Sequence, residues 1–235
     1  MKKIILTTLL LPSLCLASSQ NTYKKDTITL LSKDEMAKIM AEPPELRAQM
    51  ESRKKQMEEK GYIENDNKYA SFLLNLKQSA KDEIRAYYGT QFKEDTHLKT
   101  QPSEIKLAFE FKKLPIHEKN ILGYAPIGTY LKNPVEGWNG IKVFFMDKDT
   151  SICAYEFTDL KLSNGGVMMA KENVKNIVGK KPTFLSVEGS DQSGYVYSVT
   201  WYDQLKTNRV DCSTEKYQKN TLDKVIALSN KINRR

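Results

Sequence analysis

Cysteines, histidines and carboxylates are the side chains of this sequence that could do chemistry. Cys153 and Cys212 could serve as a thiol nucleophile, as metal ligands or as a disulfide. Neither stands in a Cys-x-x-Cys pair or has a histidine nearby, so the pair is expected to form a structural disulfide in an oxidising compartment. Closing a loop of about 60 residues would stabilise the fold by about 4 kcal/mol on the chain-entropy model. His97 and His117 lie in polar, loop-like surroundings without a second ligand at metal spacing, and read as solvated surface residues. His117-Glu118 amounts to half of a general-base pair. Asp147, Asp149 and Asp159 border strand-like runs and could form a two-carboxylate hydrolase site, although turns also demand aspartate. Tyr124 and Pro126 deny the Gly123 to Gly128 segment the open amides that phosphate needs. Dinucleotide, phosphate-loop, zinc-protease and serine-hydrolase motifs are absent. No catalytic residue, metal or cofactor is therefore expected.

The elements that would position these groups begin with Ile141 to Met146 and Ile152 to Thr158. These β-branched and aromatic runs, joined by the turn Asp147 to Thr150, predict a hairpin. Tyr195 to Tyr202 alternates strictly, so that Tyr195, Tyr197, Val199 and Trp201 share one apolar face. A segment around Val210 and Cys212 is expected to pair back on it through a turn at Lys206 to Asn208. Pro182 to Val187 reads as a strand, and Ile105, Leu107, Phe109 and Phe111 as a half-buried one. Between Pro115 and Asn139 the prolines and glycines predict loops around a short strand at Ile127 to Leu131. Tyr124 and Trp138 on such loops suit a contact surface, and capping of the core accounts equally well for Trp138.

Helices are expected in four main places. Ser32 with Glu35 has the form of a capping box opening a short helix through Met36, Ile39 and Met40, which Pro43-Pro44 ends. A charged helix follows from Pro44 or Glu45 to Lys60, with Gly61 as its stop. Its thin stripe of Leu46, Met50 and Met57 buries little; Met50 and Met57 could cover a partner, or the helix is simply exposed. Tyr69, Phe72, Leu73, Leu76, Ala80, Ile84 and Tyr87 follow helical spacing from Asn65-Asp-Asn67 to Gly89. Leu222, Val225, Ile226, Leu228 and Ile232 predict an amphipathic helix over Thr221 to Ile232. A further short helix is expected from Met168 to Val178, between the turn Asn164-Gly-Gly166 and Gly179. Strands and helices do not alternate regularly, so the fold class is α+β with a mainly antiparallel sheet.

The first residues have the three parts of a secretory leader: Lys2-Lys3, an apolar run from Ile4 to Leu11, and Ala17 as the small residue before cleavage. The organisation read from this is a signal peptide over 1–17, an extended lead and charged helical region over 18–64, and a disulfide-bearing α+β domain over 65–235. No later stretch is long and apolar enough to span a membrane. Cys15 raises a lipoprotein alternative, in which Ser13 fits and Leu14 occupies the place of a small residue. The formal net charge is +8, spread among acidic residues rather than blocked. That pattern suits a solvated surface or an anionic partner, and nucleic-acid motifs are missing.

A signal ending Leu14-Cys-Leu-Ala17, a lysine-rich chain and a β domain closed by Cys153 and Cys212 resemble accessory subunits of Dot/Icm-type (type IV) secretion-system outer-membrane core complexes. The resemblance is one of layout over the whole chain. It implies a scaffold role among other envelope proteins in a large assembly, without catalysis. Leu14 departs from the lipobox that several such subunits carry, which puts outer-membrane anchoring in question. The expected location is the periplasm or the outer membrane's periphery, with secretion as a third possibility. The second function class is an exported enzyme or periplasmic ligand-binding protein with a site in the β domain.

Overall fold

The computed structural model describes residues 28–32, 34–35, 44–76 and 98–234. In chain order they form β1 (Ile28–Leu31), α1 (Pro44–Lys60), β2 (Ile63–Glu64), α2 (Lys68–Asn75), β3 (Ile121–Leu131), β4 (Gly137–Asp147) and β5 (Ser151–Asp159). Then come β6 (Val167–Ala170), β7 (Lys175–Val178), β8 (Lys181–Ser190), β9 (Gly194–Asp203), β10 (Lys206–Thr214) and α3 (Thr221–Asn233). The leader with Cys15, the helix through Met36 and Met40, His97 and the far half of the helix expected to end at Gly89 lie outside the described residues.

One sheet dominates, in the order β2-β8-β9-β10-β5-β4-β3, with β7 also pairing β8. Apart from the short parallel β2–β8 contact, its pairings are antiparallel. The sheet is two meanders, β3-β4-β5 and β8-β9-β10, joined along the β5–β10 seam. A separate two-stranded parallel sheet pairs β1 with β6. The mainly antiparallel α+β expectation holds.

Strand alternation assigns the two faces. Tyr195, Tyr197, Val199 and Trp201 of β9 are all buried, with Tyr155, Val210 and the two cysteines beside them, under Val225, Leu228 and Ile232 of α3. On the opposite face Phe144, Ile152, Ala154 and Val196 pack beneath Ala70, Leu73 and Leu76 at α2. Asn67 caps α2, its Oδ1 accepting from the amides of Tyr69 and Ala70 at 3.1 Å each. Ser32 and Glu35 form the expected reciprocal box: the Glu35 carboxylate accepts from the Ser32 amide at 2.7 Å, and Ser32 Oγ accepts from the Glu35 amide at 3.3 Å.

Four expectations give way. Met168 to Val178 is not helical: it comprises β6, a 3-10 turn at Lys171–Asn173, and β7. Pairing with β1 and β8 supplies its backbone partners, and Val174, Ile177 and Val178 are β-branched, so tertiary pairing overrides local helix propensity. Ile105 to Phe111 makes no strand; its pairing with β4 is confined to one Leu107–Trp138 bridge, in which the Trp138 amide and carbonyl bond to Lys106 and Ala108. Its apolar alternation reflects side chains packing on the core instead. The loops expected before Asn139 are largely the β3–β4 hairpin, and Pro126 fits because β3 is an edge strand. The turn expected at Lys206 to Asn208 sits at Gln204-Leu205, with Gln204 at φ +54° and Lys206 already paired to Asp203. No helix among the described residues is long and apolar enough to cross a membrane.

Candidate functional site

Cys153 and Cys212 are disulfide-bonded, and they stand directly opposite one another on β5 and β10 with Cα atoms 4.1 Å apart. That close approach places them in the narrow pairing of an antiparallel ladder. Both are fully buried, and the Thr150 hydroxyl lies 3.0 Å from Cys153 Sγ. The bond crosses the seam between the two meanders, inside the core.

On the opposite face, charges line up across three strands. Lys142 of β4 faces Glu156 of β5, which faces Arg209 of β10. Lys142 Nζ is 2.5 Å from Glu156 Oε1, with the lysine side chain 7% exposed. Arg209 Nε donates to Asp211 Oδ1 at 2.7 Å and its Nη2 donates to Ser198 Oγ at 3.2 Å, while Ser198 donates to the same carboxylate oxygen at 2.6 Å. Two cations and two carboxylates alternate, so their mutual attraction offsets the cost of drying them. Burial alone would push the Glu156 carboxyl up, but the Lys142 ammonium and Arg209 guanidinium outweigh it and hold it below the ordinary carboxylate range. Lys142 Nζ also sits 4.3 Å from the centre of the Tyr69 ring, in the first turn of α2, a cation–π contact that fastens the helix to the row. Sequence reading passed over these four residues. Their signal was present as charges of equal parity interrupting three apolar strands, but it needed the register to bring them together.

α1 is held at one end. Met57 packs on the core, Arg53 Nη2 donates to Glu188 at 2.6 Å, and Gln56 Oε1 accepts from the Glu64 amide at 2.9 Å. Beyond this Gly61 turns at φ +79° into a cluster of tyrosines, with the Tyr62 ring 5.1 Å from Tyr195 and 4.9 Å from Tyr217. Towards its start Ala48 to Ser52 are exposed, including Met50 at 46%. The two methionines therefore part company: Met57 belongs to the fold, and Met50 faces outward.

Tyr124 is buried in β3 rather than displayed on a loop. Trp138 is half-buried in β4, its ring 5.5 Å from Tyr130 and near perpendicular to it. The placement on loops is thus corrected for both, because β3 and β4 pair through the prolines and glycines that suggested loops. The outward apolar groups at that hairpin are Leu122, Tyr130 and Val135.

The remaining candidates make turns. Asp147 Oδ2 accepts from the amides of Asp149 and Thr150 at 3.1 Å each, and Asp159 Oδ1 accepts from the Lys161 amide at 3.1 Å. His117 is exposed and precedes a short 3-10 turn. Among the described residues no three His, Cys, Asp or Glu side chains gather as a metal site. No protein family, curated protein or solved structure matches this chain.

Proposed function

We propose that the protein is an exported cell-envelope component that acts by binding other proteins in a large assembly, in the manner of an accessory subunit of a Dot/Icm-type core complex. The observation that carries this reading is α1. Its second half is fastened to the body through Arg53, Met57 and the turn at Gly61, while Ala48 to Ser52, with Met50, are exposed. A charged helix anchored this way presents a stiff handle at little cost in ordering entropy when a partner binds. The Cys153–Cys212 disulfide agrees with an oxidising compartment such as the periplasm. The leader read from Lys2 to Ala17 supplies the route there.

The test is a photo-reactive amino acid at position 50 in the full chain, followed by gentle solubilisation of envelopes and size fractionation. Crosslinks from position 50 to other envelope proteins, in a fraction far larger than the chain itself, support the reading. A chain that migrates at its own mass with no crosslinks sinks it.

A further inference from the structure

On the α3 side of the sheet a cleft of about 150 Å³ opens between the end of α3 and the segment before β3. Phe109, Phe157 and Ile232 form its apolar wall, the two phenylalanine rings lying 4.8 Å apart. Its polar wall is mixed, with Lys181, Lys206 and Asn208 beside the carboxylates Glu110 and Asp203. Lys181 is committed: Nζ donates to Asp203 at 2.7 Å and to Asn233 Oδ1 at 2.8 Å. Asp203 is thereby neutralised, and the Asn233 oxygen at the electronegative end of α3 is satisfied. Lys206, opposite Asp203 in register, makes no ion pair among the described residues. Buried Asn208 accepts the Tyr155 hydroxyl on Oδ1 at 2.7 Å. That bond assigns its nitrogen as the outward donor group, and this nitrogen makes only a 3.4 Å contact to the Lys206 carbonyl.

We infer that this cleft binds the C-terminal residue of a partner chain, taking an apolar side chain against Phe109 and Phe157 and the terminal carboxylate between Lys206 and Asn208. Size decides the scale of the ligand. The volume is well below the roughly 300 Å³ of sites that enclose a drug-sized molecule, and suits a single residue. Chemistry decides the class. Lys206 and the Asn208 nitrogen offer only donors and, beside the aromatic rings, match a carboxylate attached to an apolar group; of the two carboxylates that also line the cleft, Asp203 is already bound by Lys181 and Glu110 is exposed at its rim. This inference rests on the partner-binding reading above and names one place where a partner would be held.

The experiment is a titration of the isotopically labelled full chain with N-acetylphenylalanine, followed by nuclear magnetic resonance, beside its carboxamide and hexanoate. Saturable shifts at Phe109, Phe157 and Asn208 with a Kd on the order of millimolar are expected, as befits one residue of a longer ligand. Amidation and Lys206→Glu should each weaken binding by about fivefold, the range of an exposed ion pair. Lys148→Glu, in the distant β4–β5 turn, should leave it unchanged, and Phe109→Ala should weaken it without touching the charge. Absence of saturation, or equal binding of the carboxamide, overturns the proposal. Hexanoate binding as tightly as N-acetylphenylalanine also overturns it, in favour of a free fatty carboxylate. The envelope fractionation separates the two readings. A chain found in a large assembly that ignores the probe refutes the cleft alone, and one that binds the probe but runs free refutes the envelope role alone.

Discussion

Lys142 and Glu156 face each other across β4 and β5, Nζ 2.5 Å from Oε1, in a position that α2 covers. Glu156 has Arg209 on its other side, so it is the shared carboxylate of two cations. Replacing it by glutamine leaves those cations facing one another with only the neighbouring Asp211 as counter-ion. Glu156→Gln should lower the unfolding free energy by about 2–3 kcal/mol, less than for a fully buried pair because the glutamate side chain is 27% exposed. The double variant Lys142→Met/Glu156→Gln should recover about half of that loss in urea denaturation. Additive losses would show that the two side chains do not interact.

The same carboxylate fixes a pH dependence. Its folded value is held below the ordinary range, so its contribution is fully present above the unfolded value of about 4.3 and is lost as pH falls from there through the lower folded value. Unfolding free energies measured between pH 3 and 6 should therefore fall less steeply towards acid in Glu156→Gln than in the unaltered chain. Parallel curves would count against the assignment.

Met50 and Met57 stand two turns apart on α1 and should behave oppositely. Met57→Ala removes a side chain packed on the core and should cost about 2 kcal/mol. Met50→Ala should stay within about 0.5 kcal/mol of the unaltered chain while weakening capture of envelope partners. Thermal melts and crosslinking yields on the same pair of variants separate the roles, and a destabilised Met50→Ala would contradict them.

Gly137 opens β4 at φ +145°, and a Cβ there would lie 2.7 Å from the Leu107 carbonyl carbon and 2.8 Å from the Ala108 nitrogen. Those atoms are backbone, held by the hydrogen bonds that Trp138 exchanges with Lys106 and Ala108 at 2.8 and 2.9 Å. Gly137→Ala should cost at least about 2 kcal/mol and loosen residues 106–108, visible as faster amide exchange at Ala108 and Trp138. Unchanged stability and exchange would mean the segment does not need this close approach.

Much of this architecture was legible in one dimension. The β9 alternation, the β4–β5 hairpin, the capping box at Ser32 and the C-terminal helix each rest on interactions within a few residues, and so does the stop at Gly61. The errors fall where partners come from far away. Met168 to Val178 reads as a helix until β1 and β8 offer edges to pair with, and Pro126 reads as a loop until β3 is known to be an edge. The charged row and the cleft share that difficulty. The charged row gathers Lys142, Glu156 and Arg209 from three strands, and the cleft gathers Phe109, Lys206 and Asn208 from two distant segments. Only the stiff, charged character of α1 was available locally.

The β5–β10 seam also sets an order of events for a chain that emerges from its N-terminus. Each meander can close from neighbouring hairpins, but the seam joins residues 59 apart at Cys153 and Cys212, and pairing strands so distant in sequence is slower than pairing neighbours. Cys153 must remain an open thiol until β10 arrives, on a strand whose outer edge is still unpaired and free to recruit a wrong partner. Correct oxidation thus reports completion of the whole sheet: a chain cut short before Cys212 would carry both liabilities together, a reactive thiol and a bare strand edge.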